Sequence, residues 1–266
     1  MPKVTVGMPL YNNAKTIKES IESVLSQSEA DLELLISDDG SNDETVKICQ
    51  EFAQRDPRIK VYVQPKNLYY LNFKFLVDKA NTDYFCWLAG DDKLHPDFIK
   101  LCISKLESDL QIVSCASHCL FNQSGREFLA NGTYKITDNN ISNRLCAYFK
   151  SPKDNTRMYG VFRTTVLKKS FPEEIFHAFD WALSALTLCY GGHDEINEIK
   201  MFRDKTPTEN YKKLSKTDHN GGILTYFPVF KMSLFLLKQK VFPKTPKVLF
   251  ALFKLNVKQT LRQISR

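Results

Sequence analysis

Short apolar runs and helical apolar stripes take turns along the first 116 residues. Residues 3–8 read as a buried strand, and 14–27 as an amphipathic helix with Ile17, Ile21, Val24 and Leu25 on one face. The alternation continues through strand 32–37, helix 43–54, strand 59–63, helix 70–80, strand 83–88, helix 97–107 and strand 111–116. Strands and helices of these lengths in strict alternation predict an α/β fold, a Rossmann-like, mostly parallel sheet flanked by helices and joined by right-handed crossovers. From 117 to 160 the pattern dissolves into polar stretches rich in asparagine (Asn122, Asn131, Asn139, Asn140, Asn143), with a short helix near 141–149. Periodicity returns as helix 180–190 and strand 195–202, then as two apolar, basic helices over 223–240 and 246–263, separated by Pro243 and Pro246. The expected division is a domain over 1–218, with a nucleotide-binding half 1–116 and an acceptor-facing half 117–218, followed by a helical tail 219–266.

The chemistry lies where strands give out. Asp38-Asp39 closes the run Leu32–Ser37, and Asp91-Asp92 closes Tyr84–Gly90. Ligands of open α/β sheets bind outside the carboxyl ends of the strands. Paired carboxylates there repel unless a cation or a hydrogen-bonding ligand offsets them, so the two steps suit a divalent metal and a nucleotide. Asp91-Asp92 could equally cap the helix at 97–107. The first turn, Pro9-Leu10-Tyr11-Asn12-Asn13, holds no G-x-G-x-x-G, which argues against a dinucleotide oxidoreductase and a P-loop enzyme.

Composition narrows the setting. The 266 residues, 43% of them hydrophobic, suffice for a sizeable core. Seven cysteines without C-x-x-C spacing read as reduced core thiols and argue against zinc. Met1–Val6 enters a strand with no charged-then-apolar leader, so a cytoplasmic protein is expected. The net charge of +7 belongs to the tail: nine of the 37 Lys and Arg, and no Asp or Glu, fall between 219 and 266.

Three segments carry a resemblance. Val4-Thr5-Val6-Gly7-Met8-Pro9-Leu10-Tyr11-Asn12, Leu34-Leu35-Ile36-Ser37-Asp38-Asp39-Gly40-Ser41-Asn42-Asp43 and Trp87-Leu88-Ala89-Gly90-Asp91-Asp92 together resemble the motifs of the inverting family 2 glycosyltransferases of GT-A fold, in the same order and at matching separations over about 90 residues. The resemblance implies sugar transfer from a nucleotide diphosphate sugar, UDP-linked in preference to dTDP or GDP, to a saccharide acceptor. Pro9, Tyr11, Asn12 and Asp39 would hold nucleobase and ribose. Asp91 would sit by the ribose or sugar, and Asp92 would ligate Mg²⁺ or Mn²⁺ on the diphosphate. Ala89 stands where the family's first metal-motif Asp is usual, and no glycine follows Asn67 in Leu68-Tyr69-Tyr70. A hard divalent ion needs only one or two protein carboxylates beside phosphates and water.

An inverting transfer also needs a base for the acceptor hydroxyl. Phe179-Asp180-Trp181 resembles the family's carboxylate at a helix start, which makes Asp180 the candidate base, although an acidic residue there also suits the helix dipole. Asp194 and Glu195 are weaker candidates. Arg203 resembles the basic residue that the family places after its last strand, near the phosphates, and Lys74 could reach the diphosphate. Tyr159, within Met158–Arg163, together with His177 and Trp181, is expected at the acceptor.

The tail, 223–266, is too often interrupted by Lys to span a bilayer but suits an anionic membrane surface. A helix pair packed on the domain or on a second copy in a homo-oligomer would leave the same pattern. No groove-reading or base-stacking motif accompanies the charge, so nucleic acid is not expected. Together, tail and resemblance point to a lipid-linked saccharide met at the inner face of the cell membrane, in surface polysaccharide or lipopolysaccharide synthesis. Two competing readings are a non-catalytic nucleotide-sugar-binding or assembly subunit, suggested by Ala89 and the absent Glu before Asp180, and a nucleotidyltransferase, which would be expected to carry a glycine-rich basic loop after strand one.

Overall fold

Strand β1 (Val4–Leu10) is flanked on both edges by parallel partners, β2 (Leu32–Asp38) and β4 (Tyr84–Trp87), which explains why it is nearly all apolar. The computed structural model describes residues 2–29, 31–173, 176–205 and 227–265. Helices α1 (Ile17–Leu25), α2 (Thr45–Arg55) and α3 (Leu71–Lys79) make the crossovers among these strands and β3 (Ile59–Val63). Side chains of successive strand residues point to opposite faces. Accordingly Leu34, Ile36, Tyr84 and Cys86 join one core with α1 and with α4 (Phe98–Ser108), while Leu35, Phe85 and Trp87 join a second core on the other face.

The full strand order is β3-β2-β1-β4-β8-β6-β9-β5, with β7 (Arg126–Leu129) paired to β6 (Ile112–Gln123). The predicted parallel sheet is therefore present but mixed. The short strand β8 (Val161–Arg163) lies between β4 and β6 and runs antiparallel to both, while β6 pairs in parallel with the long strand β9 (Gly192–Asp204). Sequence patterning passed over β8, the two-residue β5 (Lys93–Leu94), β7, the 3₁₀ turn Thr156–Tyr159 and helix α6 (Thr164–Ser170), each too short to show a period. Strand β6 runs beyond its predicted end because its last residues pair with β7 and β9.

The second core is built around Trp87, whose indole N–H donates to the carbonyl of Phe73 at 3.2 Å and whose ring meets Phe85 edge-on at 5.0 Å. Helices α5 (Ile141–Lys150) and α7 (Phe179–Tyr190) close this core, and so do the tail helices α8 (Phe230–Lys238) and α9 (Pro246–Ile264), through Met232, Leu236, Val248, Leu252 and Leu255. Helix α8 begins at Phe230; residues 223–226 of the expected helix lie outside the described residues. Polar contacts fix the docking: Ser142 and Thr245 hydroxyls lie 3.1 Å apart, Lys247 Nζ donates to Asn143 Oδ1 at 2.7 Å, and Asn256 Nδ2 donates to Ser233 Oγ at 2.8 Å. One side of the tail thus packs on the domain, as one of the expected alternatives required. Among the described residues, no helix is long and apolar enough to cross a membrane.

Leu252 is 3% exposed and its neighbour Phe253 is 62% exposed, so adjacent truncations separate docking from surface. Leu252→Ala is expected to lower unfolding stability by about 2–5 kcal/mol and Phe253→Ala by less than about 0.5 kcal/mol, read from denaturant midpoints.

Candidate active site

The carboxyl ends of β1, β2 and β4 lie at one edge of the sheet, and the turns that follow them build one wall of a cavity of about 1110 Å³. After β2 the chain reverses at Asp38. Its carboxylate accepts from the N–H of Gly40 (3.1 Å) and Ser41 (2.9 Å) and from the Ser41 hydroxyl, and so is consumed by the turn. Gly40 has φ +82°, a backbone that glycine adopts without strain. Asp38 turns inward and Asp39 faces the cavity, where Oδ1 and Oδ2 accept from the N–H of Leu68 (2.6 Å) and Tyr69 (2.8 Å). Burial raises the Asp39 carboxyl and these donors pull it back. Each oxygen keeps a second lone pair for a ligand N–H or hydroxyl.

The turn after β1 is tied to the turn after β2. Asn12 N–H donates to Ser41 Oγ (2.8 Å), Asn12 Oδ1 accepts from Asn42 N–H (2.9 Å), and Asn13 N–H donates to Thr45 Oγ1 (2.8 Å). Beneath it Gly90 approaches so closely that an added Cβ would stand 2.5 Å from Leu10 Cδ2 and 2.8 Å from Asn13 Cγ. Pro9, Tyr11 and Asn12 line the cavity.

Asp91 and Asp92 part ways. Asp91 lines the cavity, its carboxyl raised by burial and lowered by nearby Arg203. Asp92, expected to hold the metal, is fully buried behind the wall and accepts from Arg203 Nε at 2.7 Å and Asp204 N–H at 3.2 Å. Burial pushes its carboxyl up, while the 2.7 Å contact with the Arg203 guanidinium favours the carboxylate and opposes that shift. The structure thus sets Asp92 in the frame and leaves Asp91 facing the cavity. Lys74, expected near the diphosphate, pairs through its Nζ with Asp78 at 2.7 Å one turn along α3 and is not among the residues lining the cavity.

The facing wall comes from the second half. Arg203, at the end of β9, lines the cavity and stacks on Tyr159, its guanidinium carbon 3.7 Å from the ring centroid. Asp180, half-buried in the first turn of α7, reaches the same cavity, with His177 and Trp181 beside it. Its Oδ2 accepts from Asn155 Nδ2 at 2.9 Å, while Asn155 Oδ1 accepts from the hydroxyls of Tyr148 (3.0 Å) and Ser184 (3.1 Å). The two hydroxyls fix which end of the Asn155 amide meets Asp180. Burial raises the Asp180 carboxyl above the usual range, opposed by the Asn155 bond.

Sequence reasoning missed Asn155, the aromatic lining of Tyr69, Tyr70, Phe73, Phe176 and Phe179, and Gln259, which α9 contributes from the tail. Four of the six non-glycine residues with positive φ among those described, Asn12, Tyr69, Asn155 and Ala178, line this cavity. Such strained backbone clusters at functional sites. Only Asn12 and Asn155 carried a signal, asparagine's tolerance of that conformation in polar stretches. Asp194 and Glu195, the weaker base candidates, lie away from the cavity, bonded to Lys135 at 3.0 Å and His118 at 3.0 Å. Among the described residues, no cluster of three or more His, Cys, Asp or Glu could hold a metal alone.

Known proteins resemble this chain in sequence and in fold. Over 210 residues the chain is 30% identical to the chondroitin synthase of Escherichia coli, covering 75% of this chain and 28% of that protein. It is 26% identical over 261 residues to a Campylobacter jejuni GalNAc(5)-diNAcBac-PP-undecaprenol beta-1,3-glucosyltransferase, covering 92% of this chain and 79% of that one. Its fold is similar to that of Staphylococcus aureus TarS 1-349 in complex with UDP-GlcNAc, with a TM-score of 0.72, 17% identity, and coverage of 98% of this chain and 73% of the other. It is similar also to the Pyrobaculum calidifontis mannosyltransferase PcManGT in complex with GDP-Man and Mn²⁺, with a TM-score of 0.63, 14% identity, and coverage of 99% and 74%. These likenesses show the expected GT-A fold. The sequence profile of Glycosyl transferase family 2 matches residues 5–171, most of the described sheet, and the chain belongs to that family of glycosyltransferases.

Proposed function

We propose that the chain moves a sugar, with inversion, from a nucleoside diphosphate donor to a saccharide acceptor, and that Asp180 is its general base. The observation that carries this reading is that Asp39, Asp91 and Asp180 open into one cavity although they come from three separate elements. Asp39, Tyr11, Asn12 and Pro9 would receive the base and ribose, with UDP favoured because the TarS fragment was solved with UDP-GlcNAc. The aromatic wall and Trp181, His177 and Tyr159 would receive the acceptor. The acceptor class is a lipid-linked saccharide at the inner face of a membrane, as the name of the Campylobacter relative suggests, and the product a surface polysaccharide or lipopolysaccharide precursor.

In the transfer, Asp180 takes the proton of the acceptor hydroxyl as its oxygen attacks the anomeric carbon, and the bond from that carbon to the diphosphate breaks with its electron pair on the departing oxygen. Asn155 holds the Asp180 carboxylate by one oxygen, leaving the other to meet the hydroxyl. Arg203, fixed by Asp92 and Tyr159, is positioned to face growing negative charge. A divalent ion fits the residues present: one cavity-facing carboxylate, Asp91, would hold Mg²⁺ or Mn²⁺ together with donor phosphate oxygens. When bound, such an ion neutralises charge on the leaving diphosphate.

Asp180→Asn is expected to lower kcat by about 10²–10⁴-fold while the donor dissociation constant, read by calorimetry, stays put. Because the base works deprotonated and its carboxyl is raised, the rate falls with falling pH through a limb above the usual aspartate value of about 4. Asn155→Ala removes a bond that favours the carboxylate, so it moves that limb further up. A limb unmoved by Asn155→Ala would remove Asp180 from the base role. Asp91→Asn is expected to abolish Mn²⁺-dependent donor binding without lowering thermal stability. Asp92→Asn, which leaves the partly exposed Arg203 guanidinium without its carboxylate, is expected to lower unfolding stability by about 1–3 kcal/mol, read from denaturant midpoints.

A further inference from the structure

Helix α9 is apolar on two opposite sides. At about 100° per residue, Val248, Leu252 and Leu255 fall on the side that packs into the core, and all three are buried. Phe250, Phe253, Val257, Leu261 and Ile264 fall on the far side, and all five are exposed, Phe253, Leu261 and Ile264 by more than 60%. The stripe from Phe250 to Ile264 runs about 21 Å along the helix. Lys254, Lys258 and Arg262 share one flank of it at steps of four, and Lys254 Nζ lies 4.4 Å from the Phe250 ring centroid. All of these side chains except Ile264 line a shallow groove on the surface. No carboxylate lies anywhere between 219 and 266.

We propose that this outer face of α9 seats the protein on an anionic bilayer surface. An exposed apolar stripe of this length is a surface meant to be covered. Charge decides what covers it. A second copy docked by the same stripe would bring the Lys254, Lys258 and Arg262 flanks of both chains together with no acid from the tail to separate them. An anionic headgroup layer supplies the missing opposite charge, while the Phe, Leu and Ile side chains enter the acyl boundary. The inner side of the same helix sends Gln259 into the cavity, so a docked α9 holds the acceptor wall next to the lipid. This surface is argued from α9 alone and does not rest on the transferase reading.

The test is co-flotation of the full chain with vesicles of phosphatidylcholine alone and of phosphatidylcholine with an equal part of phosphatidylglycerol, at low and high salt. The expected result is binding at least tenfold tighter to the anionic vesicles, weakened by salt. Lys254→Gln/Lys258→Gln/Arg262→Gln is expected to weaken it about a hundredfold, at about a fivefold loss per surface cation. Phe253→Ser/Leu261→Ser is expected to weaken it by at least tenfold. Both variants change exposed side chains and are expected to keep the parent melting temperature and the parent rate of transfer to a soluble acceptor. Equal binding to both vesicle types, or binding unchanged in both variants, would overturn the proposal. So would a sedimentation dimer that Phe253→Ser/Leu261→Ser converts to monomer while vesicles go unbound, which would assign the stripe to a second copy. Sugar transfer without vesicle binding sinks the membrane surface and spares the enzyme, and vesicle binding without transfer does the reverse.

Discussion

Four carboxylates, Asp38, Asp39, Asp91 and Asp92, stand at one edge of one sheet, and so dense a set of like charges is tolerated only if the fold gives them separate partners. Asp38 is absorbed by its own turn, Asp39 by two backbone N–H groups, and Asp92 by Arg203. The Asp92–Arg203 pair reaches furthest, because Arg203 ends β9 and Asp92 follows β4. It joins the edge built by the first half of the chain to the wall built by the second, and it aims the guanidinium across the face of Tyr159. With Asp38 and Asp92 committed to the frame, Asp39 and Asp91 are the two that face the cavity.

The antiparallel strand β8 gives that arrangement its width. By standing between β4 and β6 it sets the second half of the sheet one strand away from the nucleotide half, and the 3₁₀ turn that enters it carries Tyr159. Arg157 in the same turn is buried, stacked over Tyr134 at 4.6 Å and Tyr148 at 5.4 Å, and its Nη2 donates to the Tyr134 carbonyl at 3.0 Å. A buried cation held by rings and a carbonyl anchors the turn and keeps charge out of the cavity.

The nucleotide half was readable because its strands are long, apolar and separated by helical stripes, and because its acids end strands. Asp91 and Asp92 could not be told apart by pattern, since the choice between cavity and core depends on Arg203, more than a hundred positions away. Lys74 has a partner one turn along its own helix, Asp78, a contact that pattern alone does not announce. Asn155 carried only a backbone signal, because its role comes from hydroxyls on α5 and α7, Tyr148 and Ser184, that meet it only in the folded chain. The tail was legible in composition, but the same heptad-like spacing describes a helix with one covered side or two. Only the burial of Val248, Leu252 and Leu255 against the exposure of Phe250, Phe253 and Leu261 shows that there are two.

At α9 the wall of the cavity is one helix thick, about 10–12 Å with side chains. Gln259 and the exposed stripe are the two sides of a single rod. For an acceptor anchored in a bilayer beneath the stripe, that thickness is a minimum reach: its polar head must extend at least one helix diameter above the acyl boundary before its terminal hydroxyl can meet Asp180. On the membrane and general-base readings proposed above, an acceptor too short to cross that thickness would not reach Asp180.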